Sequence, residues 1–294
     1  MINILSLTLT LTIPITLGAL YGTISERGGI IMLGVEGMML IGAFCAVLGS
    51  YATGSAWLGV LFALAVGALM GFLYCLLCLR FKAHQSVIGV GLNLFASGIT
   101  RVLLKAVWQQ EGMSTFVNTI GKLRLPVLSD VPILCDQSVF FYIMLGIVAL
   151  TWFMFYHTKY GLRYRAIGDH PLAVQTVGVN VNRYRYVALT IAGMLAALGG
   201  SFLSVDYNNL FVADMVSGRG FMALAASIFG GWTPIGCLWA SAVFAFSQAV
   251  SYNMSNISIS IYFVQMLPYV TTLLILMITG RRVRGPEALG TLVE

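Results

Sequence analysis

Residues 160–186 read YGLRYRAIGDHPLAVQTVGVNVNRYRY, a polar interruption between two long apolar runs. It holds Arg163, Arg165, Arg183 and Arg185 against a single acid, Asp169. Asp169-His170-Pro171 has the form of a helix start. Asp caps free backbone N–H groups, and Pro fits the first turn, where an N–H would have no partner. Leu172 to Val177 then predict a short helix with one apolar side, ended by Gly178. Such a helix in a basic loop between membrane spans is either a docking surface or a helix that lies on lipid.

The flanking runs set the fold class. Of 294 residues, 59% are hydrophobic and 9% charged. Soluble domains carry about 25% charged residues, so this composition cannot build a water-facing surface. Runs near the ~20 residues needed to cross a bilayer recur along the chain. They lie at Ile2–Ile24, Gly28–Gly49, Ala56–Leu79, Val87–Trp108, Ser138–Tyr156, Val187–Val205, Ile235–Val250 and Ile257–Ile278. Phe221–Phe229 is apolar but too short to span straight. The pattern predicts an all-α polytopic membrane protein, residues 1–294 forming one transmembrane domain. About nine helices cross, or eight plus a re-entrant segment at 219–231. The clusters Arg27, Arg80/Lys82, Lys159–Arg185 and Arg281–Arg284 fall on one side when the spans alternate. The bias of Lys and Arg towards the cytoplasm then puts the N-terminus outside and the C-terminus inside. The net charge of +6 sits at span ends, so it reads as a topology signal and not as a nucleic-acid footprint.

Several chemistries have no carrier. The Gly-Lys pair at Gly121-Lys122 is followed by Leu123, so no nucleotide-binding P-loop is present. His84, His157 and His170 are scattered, and no His, Cys or carboxylate group has metal-ligand spacing. No serine sits in a GxSxG turn. Cys45, Cys75, Cys78 and Cys237 lie in apolar runs and read as small buried hydrophobes. The N-terminus lacks a basic stretch before its apolar run, so the first run reads as a retained span and not a cleaved signal. No cofactor is expected on this chain.

The polar residues within spans are the site candidates. Glu36 lies about nine residues into a run, where a carboxylate costs a few kcal/mol unless paired, protonated or wet. It either lines a substrate path or bonds a neighbouring helix terminus. Asn93 either meets a polar ligand or ties two helices together. Asp206 and Asn208 open a polar stretch that reaches Asp214. Arg101 and Lys105 are expected to snorkel to the outer interface, and the five tryptophans to form an interfacial belt. Gly18…Gly22 and Gly67…Gly71 have the spacing that lets helices pack closely. A weak internal echo joins Glu26-Arg27-Gly28-Gly29-Ile30 to Ser217-Gly218-Arg219-Gly220-Phe221, each opening a small-residue span. Repeats of this kind suit transporters, whose sites lie near interrupted helices.

Ordered blocks carry a family resemblance. They are Ser25-Glu26-Arg27-Gly28-Gly29-Ile30, then Gly34-Val35-Glu36-Gly37-Met38-Met39-Leu40-Ile41-Gly42-Ala43-Phe44, and Gly161 to Val174. Gly218-Arg219-Gly220-Phe221-Met222-Ala223-Leu224-Ala225-Ala226, Ile228-Phe229-Gly230, Pro234-Ile235-Gly236 and Leu267-Pro268-Tyr269 follow. Together they resemble permeases of ATP-binding cassette (ABC) importers for nucleosides and simple sugars, the branched-chain amino acid and ribose permease-like group. The shorter permease of nucleoside importers is most alike. The resemblance implies a non-catalytic translocation subunit, multi-pass in the bacterial cytoplasmic (inner) membrane. It implies a second homologous permease, a cytoplasmic ATPase that uses ATP and Mg, and a delivering lipoprotein or periplasmic binding protein. It maps the coupling helix to about 166–178, with Arg165, Gly168, Asp169, Pro171, Leu172, Ala173, Val174 and Gly178 at the ATPase contact, and so selects docking over lipid binding. Val174 stands where the family usually has a second Ala. The expected cargo is a purine or pyrimidine nucleoside, with riboflavin or a simple sugar as alternatives. The contrasting reading from the residues alone is an ion-coupled carrier with Glu36 as its proton or sodium site.

Overall fold

A computed structural model describes residues 2–31, 33–121, 137–254 and 285–290, with Met266, Val270 and Met277. The run Ile257–Ile278, apart from those three positions, lies outside the described residues, as do Leu267-Pro268-Tyr269 and Arg281, Arg282 and Arg284. The described chain is helical. The helices are α1 (Ile2–Arg27), α2 (Val35–Thr53), α3 (Ala56–Leu79), α4 (Gln85–Trp108), α5 (Val139–His157), α6 (Lys159–Asp169) and α7 (Pro171–Thr176). They continue as α8 (Val181–Ser201), a π-helical extension of it (Phe202–Tyr207), α9 (Arg219–Phe229) and α10 (Pro234–Met254). Among the described residues, seven helices are long and apolar enough to cross a membrane: α1 to α5, α8 with its extension, and α10. The expected ninth crossing rests on the undescribed run, and the eighth is the short α9.

Helices α1, α2 and α8 form the centre, and α3, α4, α5 and α10 surround them. The outer helices carry their apolar side chains outwards: Leu61 is 59% exposed, Leu94 71% and Leu150 67%. In a membrane chain these face lipid or a partner subunit, because polar solvent would not select them. The inner side of α4 is a stripe of Gln85, Gly89, Ala96, Thr100, Leu104 and Trp108 at helical spacing.

Glycine contacts hold the centre together. A Cβ on Gly71 would sit 2.3 Å from the Leu189 carbonyl oxygen, and one on Gly193 2.3 Å from that of Gly67. The Gly67…Gly71 pair is therefore the α3–α8 seam. On the other side, Gly18 meets Ala223 and Gly22 meets Ser227. That order makes α9 run parallel to the last turns of α1. At 1.5 Å per residue, Gly18 is about 14 Å before the end of α1. The N-terminus of α9 thus lies well inside the span, and residues 208–218 carry the chain back down to it from the end of α8.

Those residues pair locally with the loop after α4. Ser114 N–H donates to Phe211 O at 2.9 Å, Val117 N–H to Asn209 O at 2.9 Å, and Ala213 N–H to Gly112 O at 2.8 Å. Arg101 bonds Asp214, and Lys105 donates to Glu111 at 2.6 Å. The two cations are thus held by acids at that face, beyond the snorkelling expected of them. The tryptophan belt is incomplete as well. Trp239 is 71% exposed, but Trp108 is buried against Phe44 and Tyr51, and Trp232 is buried beside Glu26. Each buried indole fills a junction between helices, which hydropathy along the chain does not encode.

Candidate functional site

Two helices begin inside the span, and both begin at glycine. The residue before α9 is Gly218, with φ +81°, and the residue before α2 is Gly34. Neither has a side chain to satisfy the free N–H groups of a helix start. Both borrow one from a neighbouring helix. Glu36 on α2 accepts from Gly218 N–H at 2.7 Å and from Gly220 N–H at 2.8 Å. Asn93 on α4 accepts from Gly37 N–H at 2.8 Å and donates to Leu33 O at 3.0 Å. The contact is tight: a Cβ on Gly220 would lie 2.6 Å from the Glu36 carboxylate and 2.8 Å from its backbone. A carboxylate at a helix N-terminus also meets the positive end of the helix dipole. The arrangement gives Glu36 and Asn93 the helix-tying role, and both carboxylate oxygens have partners.

Arg219, the first residue of α9, is buried and bent back on its own approach. Its guanidinium donates to Met215 O at 2.9 Å and to the Tyr252 hydroxyl at 2.9 Å. The far end of α9 is closed by α1. Arg27 donates to Trp232 O at 3.0 Å and to Gly231 O at 3.2 Å, and the Trp232 indole N–H donates to Glu26. The echo between residues 26–30 and 217–221 thus marks the two ends of one device, a half-helix capped at both termini by α1 and α2.

The opposite end of the molecule carries the polar interruption. It is two helices with an elbow between them. Thr158 caps α6, its hydroxyl accepting from Gly161 N–H at 3.1 Å. One side of α6, Gly161, Tyr164, Ile167 and Gly168, is buried. The Tyr164 hydroxyl donates to Ile24 O, and burial pushes that phenol well above its ordinary value, so it remains a donor. Gly168 is in backbone contact with α1: a Cβ there would lie 2.2 Å from Arg27 O. Residues 285–290 lock the junction. Ala288 N–H donates to Gly168 O at 3.0 Å and Gly290 N–H to Gly29 O at 3.0 Å.

Here the structure corrects the sequence reading in three places. Asp169 does not cap the short helix; it is the last residue of α6, and the cap position belongs to His170, which makes no side-chain cap bond. The short helix is Pro171–Thr176, and Gly178 (φ +78°) ends it with its N–H on Gln175 O at 2.9 Å. The arginines are not simple anchors. Arg185 is fully buried, its guanidinium donating to Gly28 O at 2.9 Å, and Arg165 stacks on the Tyr156 ring at 4.8 Å.

On α7, Pro171 and Val174 turn inwards, where Val174 packs with Ile167 and Val181. Leu172 is 66% exposed and Val177 74% exposed, and Ala173 beside them is exposed too. With Leu162 on α6 they make an apolar patch on a rigidly bonded elbow. Of the expected contact residues, Leu172, Ala173, Asp169 and Gly178 are therefore on the surface, and Gly168, Pro171 and Val174 support it from below. Of the pathway residues, Asp206 lines a cleft at the far end of α1, and Asn208 stands exposed beside it. Glu36, Asn93 and Asp206 do not converge on one cavity.

Comparisons with known proteins give the frame. The family model described as the branched-chain amino acid transport system permease component matches residues 4–278. The guanosine ABC transporter permease protein NupQ of Bacillus subtilis is 35% identical, over 96% of this chain and 93% of its own. The nucleoside ABC transporter permease protein NupC of Lactococcus lactis is 32% identical, over 94% and 92%. The guanosine ABC transporter permease protein NupP of Bacillus subtilis is 26% identical, over 82% and 71%. No solved structure matches the chain. With the family model covering nearly the whole chain, and with spans, half-helix and elbow in the order of the blocks that match, this chain belongs to the branched-chain amino acid transport system permease family.

Proposed function

We propose that the chain is one of two homologous permease subunits of an ATP-driven importer in a bacterial cytoplasmic membrane, and that its cargo is a nucleoside. The elbow faces the cytoplasm and receives a separate ATPase, which uses ATP and Mg. The carrying observation is the exposed apolar patch Leu172, Ala173 and Val177 on a helix bonded through α6 to α1. A lipid-lying helix gains from a loose attachment; this one is pinned by Gly168 and Tyr164, as a lever needs. A push on α7 passes through Gly168 to the end of α1, and through Arg27 and Glu26 to the α9–α10 turn. The lower half of the span then moves as one piece with the half-helix.

Two observations support the partners and cargo. The chain resembles two different permeases of one organism, NupQ and NupP, which fits a pair of related subunits. The two relatives at 32% identity or above carry guanosine or nucleoside in their names. A delivering binding protein on the outer face completes the importer.

Competition is the test of cargo. In proteoliposomes holding the full importer, uptake of labelled guanosine is expected to fall with unlabelled purine or pyrimidine nucleosides in excess, and to be unaffected by riboflavin, ribose or glucose. Competition by riboflavin or by the sugars, with none by nucleosides, contradicts the cargo assignment.

A further inference from the structure

At the face opposite the elbow, a cleft of about 520 Å³ opens between the start of α1, the start of α5 and the end of α8. Its volume falls within the range of small-molecule pockets. Its wall is mixed: the hydroxyls of Ser6, Thr10 and Ser138, the aromatic ring of Tyr207, and the polar side chains of Asp206 and Asn209. Two features set it apart from a packing defect. First, the Oδ1 of Asn209 is buried without a hydrogen-bond partner among the described residues. A buried acceptor left unmade costs about 1–3 kcal/mol, so such an atom calls for a donor. Second, α8 ends in a π-helical turn, Phe202–Tyr207, closed by Asn208 N–H on Leu203 O at 3.1 Å. A π turn inserts a residue and turns those after it to a new side, and such turns recur at functional sites. Here it delivers Tyr207 and Asp206 to the cleft wall, and the following turn puts Asn209 at φ +60°. Asn tolerates that conformation, which for most residues is strained.

We propose that this cleft is a nucleoside subsite on the outer face, an inference that rests on the importer reading above. Asn209 Oδ1 accepts a hydrogen bond from an amino or imino N–H at the edge of the base. The Tyr207 ring, 36% exposed, offers a face on which the base stacks. The hydroxyls of Ser6 and Thr10, held in register by Gln137, meet the ribose hydroxyls. A pocket of this make-up holds cargo after delivery and before the central helices move. It discriminates by a hydrogen bond to the base, and a polar atom left unpaired rejects cargo that lacks the donor.

The test uses the complete importer in proteoliposomes and guanosine uptake kinetics. Asn209→Gly removes the acceptor and suits φ +60°, so the backbone is not strained. It is expected to raise KM for guanosine about tenfold, with turnover at saturation little changed. Asn209→Asp keeps an acceptor oxygen and is expected to keep KM near that of the unaltered protein. An unchanged KM in Asn209→Gly overturns the subsite and leaves the importer reading intact. A loss of turnover at unchanged KM makes Asn209 a structural residue and overturns the subsite too. A complex without substitutions that imports no nucleoside, while importing another cargo, overturns both readings together.

Discussion

Glu36→Ala is expected to lower the melting temperature of the importer in lipid nanodiscs and to abolish uptake. The substitution strips the acceptor from two N–H groups, those of Gly218 and Gly220, inside the span. No water is available there to replace it, and each unmet group costs several kcal/mol in hydrocarbon. Charged acceptors contribute about 1.5–3 kcal/mol per bond, so a loss near 3 kcal/mol is a conservative figure. At about 2–4 °C per kcal/mol for chains approaching this size, Tm falls by roughly 6–12 °C. Glu36→Gln keeps one acceptor oxygen and is expected to fall between the two. The ordering matters, because it separates a cap from a proton site. An ion-coupled carrier that titrates Glu36 loses transport in Glu36→Gln while its Tm stays at the value of the unaltered protein. A graded Tm across Glu, Gln and Ala supports the cap; an unchanged Tm in both variants removes it.

The second large effect lies on the elbow. Ala173→Glu places a carboxylate in the centre of the exposed patch formed by Leu172 and Val177. The free permease tolerates it, because the side chain points to solvent. In the docked complex the charge is desolvated without a partner, a cost of about 3 kcal/mol or more, or roughly a hundredfold in docked population. Cargo-stimulated ATP hydrolysis and uptake are expected to fall together, with the amount of inserted permease unchanged. Normal stimulation in Ala173→Glu removes the docking role of α7. Gly168→Arg is expected to abolish coupling as well, but for a different reason. A side chain there collides with Arg27 O, so the elbow itself is displaced and insertion suffers.

The spans were legible because hydropathy reports directly on what faces lipid. So was the α3–α8 seam, since Gly67 and Gly71 stand one turn apart on one side of a helix. Glu36 was legible as an alternative: a lone carboxylate in a run must be paired, and the structure supplies the helix start that pairs it. The elbow was legible in outline but not in detail. Asp169 has the composition of a cap, yet α6 runs through it, because Gly168 needs helical geometry to seat against Arg27 O. Arg185 was read as exposed because sequence counts charges without depth. Its burial depends on Gly28 O, a partner 157 positions away that no local pattern reveals. Asn209 was visible only as one polar residue among several; its buried, unmet oxygen is a product of tertiary folding.

The central claim is that an external ATPase, docked on α7, drives this permease. Uptake of labelled guanosine into proteoliposomes tests it, with ATP on the ATPase side and a protonophore present or absent. The account predicts uptake that requires ATP and the ATPase subunit and that survives the protonophore. Uptake by the permease chain alone, indifferent to ATP and abolished by the protonophore, would contradict it.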